Sequence, residues 1–230
     1  MARPPGLFVT GTDTDVGKTA VAVAIVGALV AKGLRVGVSK PVASGAPPED
    51  GDAGRLWAAA GRPRSLAAVC PQSFAAAVAP PEAARAEGRV VDERLLRTSV
   101  ASWCDAHDVV VVEGAGGLFS PLGDHTLNAD LARDLGWPLV IVDGVRLGLI
   151  GRTLMAVRAA RTEGLRVAAI VLSHPRPPAG DPGDPTGDHR LARDGAAALT
   201  ARLGDVPIGL LGHGATRIEP AIDWPALAGR

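Results

Sequence analysis

The residues best suited to chemistry lie near the amino terminus, in the stretch from Val9 to Thr19 that reads VTGTDTDVGKT. An apolar, strand-like run leads into this stretch, and a long apolar, helix-like run follows it. A glycine-rich turn between a strand and a helix directs backbone N–H groups at an anion, and the helix start adds the positive end of its dipole. Lys18 can reach the outer phosphates of a nucleotide, and the Thr19 hydroxyl can bind Mg²⁺. We therefore predict a phosphate-binding loop.

The spacing of this loop departs from the usual Gly-x-x-x-x-Gly-Lys pattern. Five residues separate Gly11 from Gly17, so the loop is one residue longer and carries more polar side chains. A Gly- and Asp-rich turn without a ligand is the alternative, but the flanking strand and helix favour phosphate binding. The nucleotide-binding candidates in and after the loop are Asp15, Val16, Gly17, Lys18, Thr19 and Ala20.

Two more candidates follow a short predicted strand that runs from Arg35 to Ser39. Pro41 ends this strand, which places Lys40 and Ser44 at the carboxyl edge of the sheet. In open α/β sheets, ligands bind at that edge. A lysine exposed to solvent and a simple turn serine are the alternatives for Lys40 and Ser44.

Acidic candidates complete the set. Four consecutive valines, Val109 to Val112, predict a central strand buried on both faces, and Glu113 ends it. An acid at that position, in a chain with a phosphate loop, is suited to anchor Mg²⁺. Asp52 follows a polar loop and begins a predicted helix, so it is either a metal ligand or only a helix cap. A solvent-facing acid is the alternative for Glu113.

The remaining pattern alternates strands and helices, which predicts an α/β fold: a mostly parallel sheet with helices on both faces. At 230 residues we expect a single domain that spans residues 1–230. A helix over residues 17–32 makes the first two strands parallel. Asp92 begins a helix to about His107, residues 61–81 receive no assignment, and the Pro-rich residues 173–187 form an exposed loop.

Composition excludes several classes of protein. The 24 basic and 24 acidic residues balance, which argues against binding to nucleic acid through overall basicity. Cys70 and Cys104 form no C-x-x-C pair, and the five histidines show no metal-ligand spacing. We expect no signal segment at the start of the chain, and we interpret the apolar run after Thr19 as a core helix. We expect a cytoplasmic protein that binds no membrane.

Four segments together are similar to the dethiobiotin synthetase family: residues 9–19, 40–45 (KPVASG), 112–117 (VEGAGG) and 144–148 (GVRLG). The longer phosphate loop is itself a feature of that family. The resemblance implies a P-loop cyclo-ligase that uses ATP and Mg²⁺ to close a cyclic urea on 7,8-diaminopelargonic acid with CO₂, which yields dethiobiotin.

The resemblance also implies roles for the candidates. Lys18, Lys40 and Thr14 would act in catalysis, and Thr19, Asp52 and Glu113 would hold Mg²⁺. Family members are homodimers with the site at the interface, where N–H groups at the helix start after Leu147 and Gly148 of the second subunit meet the substrate carboxylate. The implied substrate-binding residues are Thr14, Lys40, Ser44, Gly116, Gly117, Leu147, Gly148 and Gly151.

The chain departs from the family at the nucleotide base and at the carboxylate. Ser173 and His174 stand where the family has an asparagine that contacts adenine, and the segment that starts at Pro207 matches loosely. We keep Glu113, Ser173 and Pro207 as nucleotide-binding candidates and predict weak discrimination among bases. Gly151 replaces an asparagine, and Asp143 replaces an apolar residue.

Two other functions are alternatives to the ligase that the resemblance implies: a switch ATPase and an amidoligase. ATPases that position chromosomes or septa carry a lysine where this chain has Asp13, which argues against that class. An amidoligase of the cobyrinic-acid type needs a nucleophilic cysteine in a glycine-rich elbow, and neither Cys70 nor Cys104 has one.

Overall fold

The computed structural model describes residues 5–177 and 187–229. The strands are β1 Gly6–Gly11, β2 Val36–Ser39, β3 Ala43–Ser44, β4 Ser73–Phe74, β5 Val109–Gly117, β6 Leu139–Gly144, β7 Val167–Ser173 and β8 Ile208–Leu211. The helices are α1 Lys18–Ala31, α2 Asp52–Ala59, α3 Leu66–Val69, α4 Pro80–Ala86, α5 Glu93–Ala101, α6 Asn128–Leu135, α7 Leu149–Thr162, α8 Asp188–Leu203 and α9 Trp224–Ala228.

The main sheet has the strand order β2-β5-β1-β6-β7-β8, and its strand pairs are all parallel. The predicted α/β fold with a mostly parallel sheet is therefore confirmed. β1 and β2 are parallel, as predicted, but β5 lies between them and pairs with both. The four valines of β5 are fully buried, as expected for an interior strand that is paired on both sides and covered on both faces.

A small second sheet joins β3 to β4 and fills part of the stretch that the sequence left unassigned. Its hydrogen bond from the Ala43 N–H to the Gln72 carbonyl, 3.0 Å long, fixes the chain that follows Lys40. This sheet therefore holds Ser44 in a defined position beside the carboxyl edge of the main sheet.

Helix α5 is shorter than the sequence predicts, because it ends at Ala101 rather than near His107. The chain turns there and buries Trp103 completely against β2, where a Cβ on Gly37 would lie 3.2 Å from that of Trp103. Asp92 does cap this helix, since its carboxylate accepts a hydrogen bond of 2.9 Å from the Leu95 N–H. A short helix, α9, occupies the tail that the sequence left irregular.

In the described ranges, residues 5–177 and 187–229, no helix combines the length and the apolar character needed to cross a bilayer. The predicted exposed loop over residues 173–187 begins later than expected, because Ser173 ends β7 and both Ser173 and His174 are buried; residues 178–186 lie outside the described ranges.

Candidate active site

The candidate site lies at the carboxyl edge of the sheet, where β2, β5 and β1 end side by side. Lys40 follows β2, Glu113 lies within β5, and the phosphate loop follows β1. Because neighbouring parallel strands end at the same edge, residues far apart in sequence meet there. The strand order, which the sequence did not predict, explains why Lys40 and Glu113 are in direct contact.

The backbone of the phosphate loop adopts, at Gly17, a conformation that favours glycine. Gly17 adopts the left-handed conformation at a φ of 91° and precedes the first turn of α1. Lys18 and Thr19 are both buried, and the Lys18 ammonium donates a 2.8 Å hydrogen bond to the Asp13 carbonyl. The loop thus holds its lysine folded back over its own backbone, next to the helix terminus that favours anions.

Lys40 lies at the centre of a group that we call the lysine–carboxylate cluster: Thr19, Lys40, Asp52 and Glu113. The Lys40 ammonium donates to Glu113 Oε1 at 2.7 Å and to Asp52 Oδ2 at 3.0 Å. It also donates to the Gly114 carbonyl at 3.0 Å. The Thr19 hydroxyl donates to the same Glu113 oxygen at 2.8 Å. The structure therefore brings all four predicted residues together.

The charges of this cluster are strongly coupled. Burial acts to lower the pKa of Lys40, but Glu113 and Asp52 outweigh it, so the pKa of Lys40 is raised and the ammonium stays charged. Burial acts to raise the pKa of Asp52, yet Lys40 and Thr19 lower it overall. Burial, with Lys40 as a second cause, lowers the pKa of Lys18. Full burial raises the pKa of Glu113, and Lys40 opposes that increase.

The oxygen atoms of the cluster fit a magnesium ion. Asp52, Glu113 and Thr19 supply two carboxylates and a hydroxyl, and Mg²⁺ prefers such hard oxygen donors with phosphate and water completing its shell. Glu113 Oε2 is buried and has no hydrogen-bond partner among the described residues. A buried carboxylate oxygen without a donor is costly unless a cation or water approaches it.

A cavity of about 750 Å³ opens above this cluster. Residues predicted from the sequence that line it are Thr14, Asp15, Gly17, Lys18, Thr19, Ala20, Lys40, Ser44, Asp52, Glu113 and Gly116. Ser44 donates its hydroxyl to the Val78 carbonyl at 2.6 Å. Asn128, at the start of α6, donates to the carbonyls of Ala115, Gly117 and Ser120 and so orders the glycine-rich end of β5.

The two residues predicted to contact the nucleotide base, Ser173 and Pro207, lie outside the cavity lining. Ser173 is almost fully buried, and a Cβ on Gly17 would lie 2.2 Å from its hydroxyl, so Ser173 packs against the phosphate loop. Pro207 precedes β8 at the amino end of the strand, where its carbonyl accepts from the Ile170 N–H. Instead, His174 and the segment 212–216 after β8 line the cavity. The rule that ligands bind at strand carboxyl ends would have selected them.

Other candidates lie around the cavity. Val16 turns its side chain into the core, so its backbone is the part available to a ligand. A Cβ on Gly117 would lie 3.3 Å from the Gly11 carbonyl, so Gly117 allows β5 to approach the phosphate loop. Leu147, Gly148 and Gly151 follow β6 and lie outside the lining of this cavity.

A parallel sheet with this turn after its first strand, and with Lys18 and Thr19 at the helix start, defines the class of P-loop nucleotide-binding proteins. The family model described as an AAA domain matches residues 5–209. In fold, the chain is similar to the signal recognition particle receptor FtsY from Elizabethkingia anophelis in complex with GDP, with a TM-score of 0.52 and 15% identity. The match covers 99% of this chain and 63% of that one.

Curated relatives define the family more narrowly. The chain is 47% identical to the ATP-dependent dethiobiotin synthetase BioD of Rhodopirellula baltica, over 72% of this chain and 71% of the relative. It is 46% identical to the protein of the same name from Anaeromyxobacter dehalogenans strain 2CP-1, over 82% and 84%. It is 44% identical to the protein of the same name from Caulobacter vibrioides strain NA1000, over 73% of this chain and 78% of the relative. The chain belongs to the dethiobiotin synthetase family.

Proposed function

We propose that this protein is an ATP-dependent ligase that closes the cyclic urea of dethiobiotin on 7,8-diaminopelargonic acid with CO₂. Its relatives carry the name ATP-dependent dethiobiotin synthetase, which supports the reaction class and ATP as co-substrate. The observation that carries the mechanism is the convergence of two buried ammonium groups, Lys18 and Lys40, on one cavity beside the phosphate loop. We assign the whole reaction to one domain over residues 1–230.

The reaction must activate a carbamate. One amine of the substrate attacks CO₂ and loses a proton, which gives a carbamate anion. A carbamate oxygen then attacks the γ-phosphorus of ATP, the bond to the ADP oxygen breaks, and a carbamic–phosphoric anhydride forms. The second amine attacks the carbonyl carbon and loses a proton, the ring closes and inorganic phosphate leaves. Negative charge concentrates between the carbamate and the γ-phosphoryl group, so catalysis depends on positioning and on fixed positive charge.

The residues that line the cavity fit these needs. Lys18 would bind the β- and γ-phosphates. The Lys40 ammonium, whose three donors are used by Glu113, Asp52 and the Gly114 carbonyl, would act through its charge on the carbamate and on the transferring group. Thr14 and Ser44 lie on the cavity wall, and they would contact the diamine and the carbamate. Thr19, Asp52 and Glu113 would hold Mg²⁺, which neutralises phosphate charge when bound. Gly116, in the left-handed conformation at a φ of 74°, allows the substrate to approach β5 closely.

The two alternative functions lack the groups they need. Asp13 occupies the position of the lysine that switch ATPases use, and its carboxylate pairs with Arg146 of the same chain at 3.0 Å. Burial raises the pKa of the Cys70 thiol to about 11, which leaves it a poor nucleophile for glutamine hydrolysis. The two cysteines also fit the reducing cytoplasm, where we place the enzyme.

The decisive experiment is phosphate release from ATP with the diamine, bicarbonate and Mg²⁺, with dethiobiotin identified by mass spectrometry. Turnover that requires both the diamine and bicarbonate supports the proposal. Turnover without the diamine that DNA or lipid vesicles stimulate would instead support the switch-ATPase class, and turnover that requires glutamine would support the amidoligase.

We further propose a homodimer. Leu147, just before α7, is 88% exposed and Met155 is 66% exposed, and a Cβ on Gly151, four residues before Met155, would meet open space. An apolar stripe at the start of α7 is suited to pack against a second copy of the chain. In such a dimer, the amino end of α7 of one subunit would meet the substrate carboxylate in the site of the other.

Replacing Met155 with glutamate is expected to convert the dimer to a monomer, because a charge in an apolar interface loses its hydration. Sedimentation velocity measures the change, and the KM for the diamine should rise more than that for ATP. Val90→Glu is the control for an added negative charge, because Val90 is 71% exposed and lies outside α7, in the segment before α5. A Met155→Glu protein that remains dimeric would contradict this interface.

The base of the nucleotide is expected to be discriminated weakly. His174 is the first lining residue after β7, and its pKa is lowered by burial and by His189, so its neutral ring offers one donor and one acceptor. The values of kcat/KM for ATP, CTP, GTP and UTP should lie within about tenfold, a difference of roughly 1.4 kcal/mol. A larger preference for ATP would refute this prediction. His174→Asn, which restores an amide, should increase the preference for ATP.

A further inference from the structure

Asp143 is fully buried at the end of β6, and its carboxylate joins three segments of the chain. Oδ1 accepts a 2.6 Å hydrogen bond from the Thr12 hydroxyl in the phosphate loop and a 3.3 Å bond from Arg152 Nε in α7. Oδ2 accepts from the Thr153 hydroxyl at 3.1 Å. Arg152 neutralises the acid, so Asp143 presents no net charge that would repel an anionic substrate.

A second connection runs in parallel with the first. The Arg146 guanidinium contacts Asp13 Oδ2 at 3.0 Å, and the Thr12 N–H donates to the Val142 carbonyl at 2.9 Å. We call these contacts of Thr12 and Asp13 with Val142, Asp143 and Arg146 the β6–α7 brace. They hold both residues that follow Gly11, within the stretch that makes this phosphate loop one residue longer than usual.

The β6–α7 brace is connected to the proposed catalytic residue Lys18 through Asp13. The carbonyl of Asp13 accepts the 2.8 Å hydrogen bond from the Lys18 ammonium. The position of Asp13 is set on one side by its neighbour Thr12 and on the other by Arg146. Arg152 also donates to the carbonyls of Gly144 and Leu147, at 3.2 Å and 2.9 Å, so the turn after β6 is itself rigidly held.

We propose that the β6–α7 brace positions the lengthened phosphate loop, and that Thr12 is a positioning residue that aims Lys18 at the transferring phosphoryl group through the Asp13 carbonyl. This inference rests on the proposed function for the identity of the group that Lys18 serves. A lysine on a longer loop has more freedom, and a small displacement of a positioned charge costs rate in the transition state.

Two valine variants separate positioning from stability. Thr12→Val and Thr153→Val each remove one hydroxyl donor from the same buried carboxylate, but only Thr12 belongs to the phosphate loop. Thr12→Val should lower kcat by at least about tenfold with a smaller change in the KM for ATP, as expected when a hydrogen bond to a charged group is lost. Thr153→Val should lower the melting temperature to a similar extent and leave kcat near the wild-type value. Thr12→Ser should restore kcat.

Hydrogen–deuterium exchange of the nucleotide-free proteins tests the brace independently of the reaction. Thr12→Val should accelerate exchange in the peptide that covers residues 12–18, and Thr153→Val should not. Because Arg146 is exposed, Arg146→Gln should fold normally and still accelerate exchange in that peptide, which replaces the first variant if Thr12→Val does not fold. Wild-type turnover with the diamine tests the proposed function separately.

The proposal is overturned if Thr12→Val and Thr153→Val lower kcat equally, or if Thr12→Ser fails to restore it. It is also overturned if neither Thr12→Val nor Arg146→Gln changes exchange in residues 12–18. A wild-type protein without diamine-dependent turnover would refute the function, while the exchange comparison would still decide whether the brace holds the loop.

Discussion

Replacing Lys40 with alanine is expected to abolish turnover and to destabilise the protein at the same time. Lys40 is the only described cation within hydrogen-bond reach of Glu113, which is fully buried. Removing one partner of a buried ion pair typically costs about 3–5 kcal/mol, because the remaining charge keeps no compensation. The loss of positive charge beside the proposed carbamate should lower kcat by about 10²- to 10³-fold, a typical effect of removing transition-state charge stabilisation.

Measurements of nucleotide binding distinguish the loss of catalysis from the loss of stability in Lys40→Ala. Lys18 and the loop backbone remain, so Lys40→Ala should still bind ADP, and Mg²⁺ with ADP should recover part of the lost melting temperature because a cation replaces the ammonium beside Glu113. Isothermal titration calorimetry and thermal unfolding measure these effects. Lys32→Ala removes an exposed pair with Asp223 at 3.1 Å and should cost less than about 1 kcal/mol. Loss of ADP binding in folded Lys40→Ala would contradict the role assigned to Lys40.

The sequence predicted which segments form the strands that end in the site, but not which strands pair with each other. The run of valines before Glu113 indicated a buried strand, and the structure confirms it. Its position between β1 and β2 depends on which strands pair, and pairing joins residues far apart in the chain, such as Val38 and Val111. Local hydrophobic patterns carry no information on such partners, so the direct contact of Lys40 with Glu113 was not foreseen.

The same limit explains the base-binding end of the cavity. A resemblance at matched positions selected Ser173, but a side chain's direction alternates along a strand, and Ser173 ends β7 facing Gly17. His174, one residue later, reaches the cavity. Asp143 was unexplained in the sequence because its partners, Thr12 and Arg152, lie in two other segments that only the fold brings together.

Replacing Glu113 with glutamine is expected to impair magnesium use, because it keeps the shape of the side chain and removes its charge. Glu113 Oε1 accepts from both Thr19 and Lys40, and Oε2 is buried without a donor in the described part of the chain. In the variant, an NH₂ group must face either Lys40 or the cation, and both contacts are repulsive. The Mg²⁺ concentration for half-maximal turnover should rise by at least about 10- to 100-fold, the usual cost of weakening a metal site.

A direct readout accompanies the kinetics, since Mg²⁺ should increase the melting temperature of the ADP complex less in Glu113→Gln than in the wild type. Glu93→Gln is the matched control: Glu93 also accepts a hydrogen bond from a threonine hydroxyl, that of Thr126, but lies outside the cavity lining. That variant should lose stability and keep the wild-type dependence on Mg²⁺. If Glu113→Gln also kept it, the buried Oε2 would not face the cation, and Glu113 would serve only to hold Lys40 in its charged form.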